Sequence, residues 1–234
     1  MPKLLLINPN TSDSVTHMLA EAAQTHLPAA FQVTAVTAPF GEAYITGEHS
    51  LAVAEHATLQ ARAEAIRAQG GFDGCLIGCF GDPALLALQE LNAEPVIGLA
   101  EASMRLAARQ GPFAIVTGGH RWREPLRRLA FSIGLLDQLA ALHTVDATGA
   151  QLKADPDMAL RLLGEACKAA VIEGTRAGQA PRSVIIGGAG LFGYARSLAS
   201  SVSVPLLDSV LCGLNMAEQR VGLPGQRPPQ VPLS

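Results

Sequence analysis

Eight short apolar runs punctuate the chain: LLLI (4–7), VTAV (33–36), CLIG (75–78), PVIG (95–98), FAIV (113–116), LHTV (142–145), VIIG (184–187) and VPLL (204–207). Each is too short for a helix and stops at or near Gly, Pro, Asn or Asp, so each predicts a buried strand. Between them, longer stretches at 12–26, 50–69, 99–109, 121–132, 155–177 and 209–220 predict helices. Ser12 or Asp13 and Asp155 suit N-cap positions, and Pro156 suits a first helical turn. Strands apolar on both faces that alternate with helices predict parallel sheets of the α/β class. The Pro-rich tail GLPGQRPPQVPLS (222–234) predicts extended chain with no part in chemistry.

The pattern also repeats at an offset of about 110 residues, too long for a solenoid and right for two similar lobes. PKLLLINPNT (2–11) matches PFAIVTGGHR (112–121), and FQVTAV (31–36) falls on ALHTVD (141–146). CLIGCFGD (75–82) falls on VIIGGAGL (184–191), and EPVIG (94–98) on VPLLD (204–208). The expectation is two pseudo-symmetric α/β lobes: residues 1–98 plus 208–234, and residues 99–207. Open α/β sheets bind ligands beyond the carboxyl ends of their strands. Two such ends facing each other make one cleft, lined by the turns NPNT, GCFGD, TGGH and GGAG.

Composition narrows the function classes. With 49% apolar and 16% charged residues the chain can bury a real core. A net charge of −3 and 4% aromatics argue against nucleic acid and an anionic membrane surface as partners. The N-terminal apolar run is too short for a secretion signal and no segment is long enough to span a bilayer, which predicts a cytoplasmic protein. In that reducing compartment Cys75, Cys79, Cys167 and Cys212 read as thiols, and their spacing forms no metal knuckle.

Cys79 is the candidate for chemistry. It stands where a strand ends and a glycine-bordered turn begins, just before a helix expected from Pro83. Backbone N–H groups at such a place lower a thiol's ordinary pKa of about 8.5 and can hold an oxyanion. A cleft with matching halves suits removal of a proton from one face of a carbon and its return to the other. The competing reading of Cys79 is a core cysteine, and Cys75, Cys167 and Cys212 are read that way. Asp82-Pro83 reads as a helix start, and Trp122 as lobe packing.

These residues resemble the aspartate/glutamate racemase superfamily, and within it the hydantoin racemase branch. The resemblance rests on INPNTS (7–12), YITGE (44–48), IGCFGDPALLALQE (77–90), PVIGLAEA (95–102), RWRE (121–124), GGAG (187–190) and VPLLDSV (204–210). It implies flavodoxin-like lobes, a small-molecule substrate, a site without cofactor or metal, a homo-oligomer, and two cysteines flanking the substrate's acidic carbon. Cys79 matches the first cysteine. The matching substrate contacts are Asn8, Asn10, Thr11, Phe40, Tyr44, Gly78, Phe80, Gly81, Thr117, Gly118, Gly187, Gly188, Ala189 and Gly190. Where the family pattern has Gly-Cys-Ala-Gly, this chain has Gly187-Gly188-Ala189-Gly190. Gly188 is also the repeat partner of Cys79, so both comparisons point to a missing second thiol. Water, His120, Tyr194 or Cys212 are the candidate substitutes. The function expected is racemisation of a 5-substituted hydantoin or related small acid. The alternatives are a one-cysteine lyase, decarboxylase or hydrolase, and a binding protein without turnover.

Overall fold

Along the first strand Leu4 and Leu6 turn to one side and Leu5 and Ile7 to the other, and all four are buried. The same holds for Phe113 and Ile115 against Ala114 and Val116. Strands buried on both faces need helices on both, and the chain supplies them. The computed structural model describes residues 1–91 and 94–222, so the Pro-rich segment from Leu223 onward lies outside the described residues.

The first half runs β1 (Lys3–Asn8), α1 (Asp13–His26), β2 (Gln32–Thr37), α2 (Glu48–Gln69), β3 (Gly74–Ile77), α3 (Leu85–Leu91) and β4 (Val96–Gly98). The chain continues through α4 (Leu99–Ala108), β5 (Phe113–Gly118), α5 (Arg123–Ser132), β6 (Leu139–Val145), α6 (Gly149–Ala154) and α7 (Pro156–Arg176). It ends in β7 (Ser183–Gly187), α8 (Tyr194–Leu198), β8 (Leu206–Asp208) and α9 (Ser209–Val221). Each apolar run of the sequence overlaps one of the eight strands. The helices α6 and α8 escaped the pattern because six and five residues are too few to display a helical period. Asp155 caps α7 by accepting from the Met158 N–H at 3.0 Å, with Pro156 at the first helical position.

Two four-stranded sheets form, ordered β2-β1-β3-β4 and β6-β5-β7-β8, with every pairing parallel. The second order is the first carried forward by one repeat, the flavodoxin-like arrangement twice over. On their outer faces α2 and α3 cover the first sheet, and α6, α7 and α8 the second. On the inner side α1 and α9 lie against the first sheet and α4 against the second. Helices α4 and α9 pack on each other, so one core runs through both lobes.

Rings seated on glycines set the approach of the lobes. Phe80, in the turn after β3, lies so close over Gly187 that a methyl there would overlap its ring. Trp122, in the turn after β5, covers Gly81 of the first lobe in the same way. Trp122 is thus a lobe-packing residue, as its sequence context suggested. The stem of Arg121 covers Gly47, and Arg128 pairs with Glu48 through two hydrogen bonds of 2.7 and 2.9 Å at the exposed edge.

Gly187→Ala forces the Phe80 ring off its seat, and overpacking of this kind costs about 1–3 kcal/mol. Arg128→Ala removes only an exposed ion pair, worth less than about 1 kcal/mol. Urea unfolding of the two variants at neutral pH checks the order: the glycine substitution is the more destabilising.

Candidate active site

Strand order reverses between β1 and β3, and again between β5 and β7, so crevices open at the carboxyl ends of these four strands. The turns beyond them face one another across a single cavity of about 610 Å³. One wall carries Asn10, Val15, Tyr44, Ile45, Thr46, Gly78, Cys79 and Phe80. The other carries Thr117 to Trp122, Asp146 to Gly149, Gln151 and Gly187 to Leu191.

Asn10 is fixed from behind. Its Oδ1 accepts from the Ser12 N–H at 2.9 Å and from Asn8 Nδ2 at 2.9 Å, which leaves Asn10 Nδ2 as a donor on the cavity side. Asn8 is fully buried and does not line the cavity; its Nδ2 donates to the Asn10 side chain, the Ser12 carbonyl and Thr16 Oγ1. Thr11, Phe40 and Gly81 also do not line the cavity. The Thr11 N–H donates to the Glu42 carbonyl at 3.1 Å and so ties down the loop that presents Tyr44 to Thr46. Phe40 packs edge-on against His56, with ring centres 5.3 Å apart. Gly81 makes room for Trp122.

Cys79 is partly exposed, whereas Cys75, Cys167 and Cys212 are buried. Desolvation pushes the Cys79 thiol up to about 12; the Gly81 N–H on the sulfur works against this, and the nearby Asp82 carboxylate adds to it. At neutral pH the group in the open cleft is therefore a thiol. Burial alone raises Cys167 to about 12.

The opposite wall has no side chain at the matching place. Thr117 Oγ1 donates to the Gly187 carbonyl at 2.7 Å, and the Gly188 N–H donates to Ser209 Oγ at 3.1 Å, which anchors the glycine turn to α9. A methyl on Gly188 would have space, with Leu191 Cγ at 3.5 Å, but its φ of +136° is one that L side chains rarely adopt. Cys79 is not among the residues with positive φ. The repeat partners therefore differ in backbone conformation as well as in side chain.

Of the proposed substitutes for the second thiol, His120 lines the cavity. Tyr194 lines a neighbouring cavity and donates its hydroxyl to the Leu152 carbonyl at 3.2 Å. Cys212 is sealed in the core, on the face of α9 turned to Ser103. Asp146, Thr148 and Gln151 line the cavity and were not singled out in the sequence. They follow β6 as Tyr44 to Thr46 follow β2, so the repeat held the signal that could have found them. Asp82 stands at a helix start as read, its carbonyl accepting from the Leu85 N–H at 3.1 Å, while its carboxylate serves α4. Among the described residues no three His, Cys, Asp or Glu side chains converge as metal ligands would.

Two outcomes follow from this geometry. Alkylation of Cys79 by iodoacetamide accelerates about tenfold per pH unit from pH 7 to 9.5, because the thiolate fraction grows without saturating below a pKa near 12; a plateau near pH 8 contradicts it. Gly188→Cys is destabilised by about 1–3 kcal/mol, the cost of a side chain at a left-handed position, and thermal unfolding measures it.

A family model described as Asp/Glu/Hydantoin racemase matches residues 4–217. The hydantoin racemase of Paenarthrobacter aurescens is 32% identical over 94% of this chain and 92% of its own length. That of Pseudomonas sp. (strain NS671) is 30% identical over 94% and 86%. Among solved structures, the allantoin racemase from Klebsiella pneumoniae superposes with a TM-score of 0.84 at 31% identity, covering 100% of this chain and 96% of that one.

Proposed function

The chain belongs to the Asp/Glu/hydantoin racemase family, and we propose that it racemises a small cyclic amide of the hydantoin or allantoin type by proton transfer at Cys79. The observation that carries this reading is the place of Cys79: a partly exposed thiol on one wall of a cleft between two like lobes. The carbon-bound hydrogen of such a ring lies next to a carbonyl, so its removal leaves an enolate that hydrogen-bond donors stabilise.

The lining supports a neutral ring more than a free carboxylate. Its buried polar groups are uncharged, Asn10 and Thr117, with Thr46 and Thr148 partly exposed and Gln151 exposed around them. The one Arg on the lining, Arg121, is exposed, and it stands with His120 on the rim. Donors and acceptors without a buried cation fit a ureide, whose N–H and C=O groups alternate around the ring. At about 610 Å³ the cavity accommodates the ring and a substituent.

Cys79 Sγ then gives a proton to, or takes it from, one face of the carbon. On the other face His120 and Asp146 are the titratable side chains that the second lobe brings to the cavity, and either, or water, completes the exchange. A second reading, a one-thiol lyase that protonates an enolate from one side only, is favoured by Gly188. We also place the enzyme in the cytoplasm, which suits its four unpaired thiols, and as a homo-oligomer, which the exposed Leu86, Leu91 and Phe131 would suit.

Incubating one enantiomer of a 5-substituted hydantoin in D₂O separates the readings. Loss of optical rotation together with deuterium at the ring carbon supports racemisation; deuterium with retained configuration supports one-sided chemistry. Cys79→Ala and Cys79→Ser lower the exchange rate by about 10²–10⁴-fold, the usual contribution of a general base. Full exchange by Cys79→Ala sinks the assignment.

A further inference from the structure

Behind Cys79 stands a buried carboxylate that proton transfer does not use. Asp82 is 4% exposed, and its Oδ1 and Oδ2 accept from the Ala100 and Glu101 N–H groups at 2.9 and 2.7 Å. These donors open α4, whose own N-cap, Gly98, supplies no side-chain bond. A methyl on Gly98 would overlap the Asp82 carboxylate, so the glycine leaves the place that Asp82 fills. Asp82 also donates its N–H to the Cys79 carbonyl at 3.1 Å and holds φ at +46°. Such a strained conformation persists only where surrounding bonds enforce it.

We propose that Asp82 is the positioning residue for Cys79: by anchoring to the first amides of α4 it fixes the turn 79–82, which sets the Gly81 N–H on the sulfur and the sulfur toward the cleft. The groups that face the carboxylate fit an anchor. Glu101 on α4 is 3% exposed and turns to Arg105 at 2.8 Å, so no cation neutralises Asp82 directly among the described residues. Its stabilisation comes from N–H groups and the positive end of the helix. Burial outweighs these and raises Asp82 to about 7, with Glu101 adding to the rise. The inference rests on the assignment of Cys79 to proton transfer.

Two variants test it. Asp82→Asn keeps the shape but leaves one α4 N–H facing an amide NH₂. Gly98→Ala keeps the charge but pushes the carboxylate off the amides, and φ −100°, ψ 152° at that position suits alanine. Each should lower kcat for hydantoin exchange by about 10²-fold, as a misplacement of reacting groups does, with KM within a few-fold. Gly98→Ala, which keeps the carboxylate charge, should also slow iodoacetamide alkylation of Cys79 at pH 8, read by peptide mass. Alkylation needs no substrate, so it tests the anchor even if Cys79→Ala turns over fully and the functional assignment falls. A folded variant of either kind with unaltered kcat and alkylation overturns the proposal. So does a change confined to KM, and so does failure of both variants to fold, which would assign Asp82 to stability alone.

Discussion

The active cleft depends on how closely the backbones of the two lobes approach, and two glycines set that distance. Phe80 sits on Gly187 and Trp122 on Gly81, so each lobe lends an aromatic ring to a bare stretch of the other. Aromatic burial supplies a large apolar contribution at one spot, and here that spot adjoins the Cys79 thiol. Residue 79 leads directly into the ring that pins the lobes, and residue 188 follows directly on the glycine beneath it. Lobe packing and placement of Cys79 opposite Gly188 are therefore one constraint. Widening the cleft means unseating Phe80.

A second arrangement ties each active turn to the helix that follows the next strand. In the first lobe Asp82 reaches from the turn to the N-terminus of α4. In the second, Asp208 caps α9 through the Val210 N–H at 2.9 Å and reaches back to the Gly193 N–H, beyond the glycine turn, at 2.7 Å. The link is the same, but its carboxylate comes from the turn in one lobe and from the helix end in the other. Since α4 and α9 pack together in the shared core, both turns are referenced to one rigid helix pair. Such anchoring fixes irregular loop backbone to a regular element, as the proposed proton transfer would require, since it tolerates little displacement.

Much of this was legible in the sequence, and the rest failed for identifiable reasons. Strands buried on both faces leave uninterrupted apolar runs, so all eight showed, and the repeat then gave two like lobes and their facing turns. Cys79, Tyr44, Thr117 and the glycine turn are brought together where the motifs suggested. Asn8 and Phe40 are not on the wall, because sequence marks which turn is polar but not which of its side chains points inward; Asn8 turns under to orient Asn10. The α4 cap by Asp82 was invisible for another reason. N-cap patterns are read over three or four residues, whereas this one spans eighteen.

The chemistry of the cleft follows from what stands opposite Cys79. With its thiol raised to about 12, Cys79 carries little thiolate at pH 7. A thiolate that scarce is a strong base when it forms, while the thiol is the resting state and is poised to donate. In a two-thiol site one sulfur can rest ionised while the other rests protonated. Here the second position is a glycine whose φ disfavours a side chain and whose N–H is held by Ser209. The asymmetry is thus built into the backbone as well as the side chain. On the proposed reading, removal of the substrate proton would fall either to the rare thiolate or to a group on the rim, where His120 and Asp146 are reached by solvent. On the proposed racemisation, such a cleft would therefore deliver its two protons from different sources, one from solvent through the second lobe and one from Cys79 in the first.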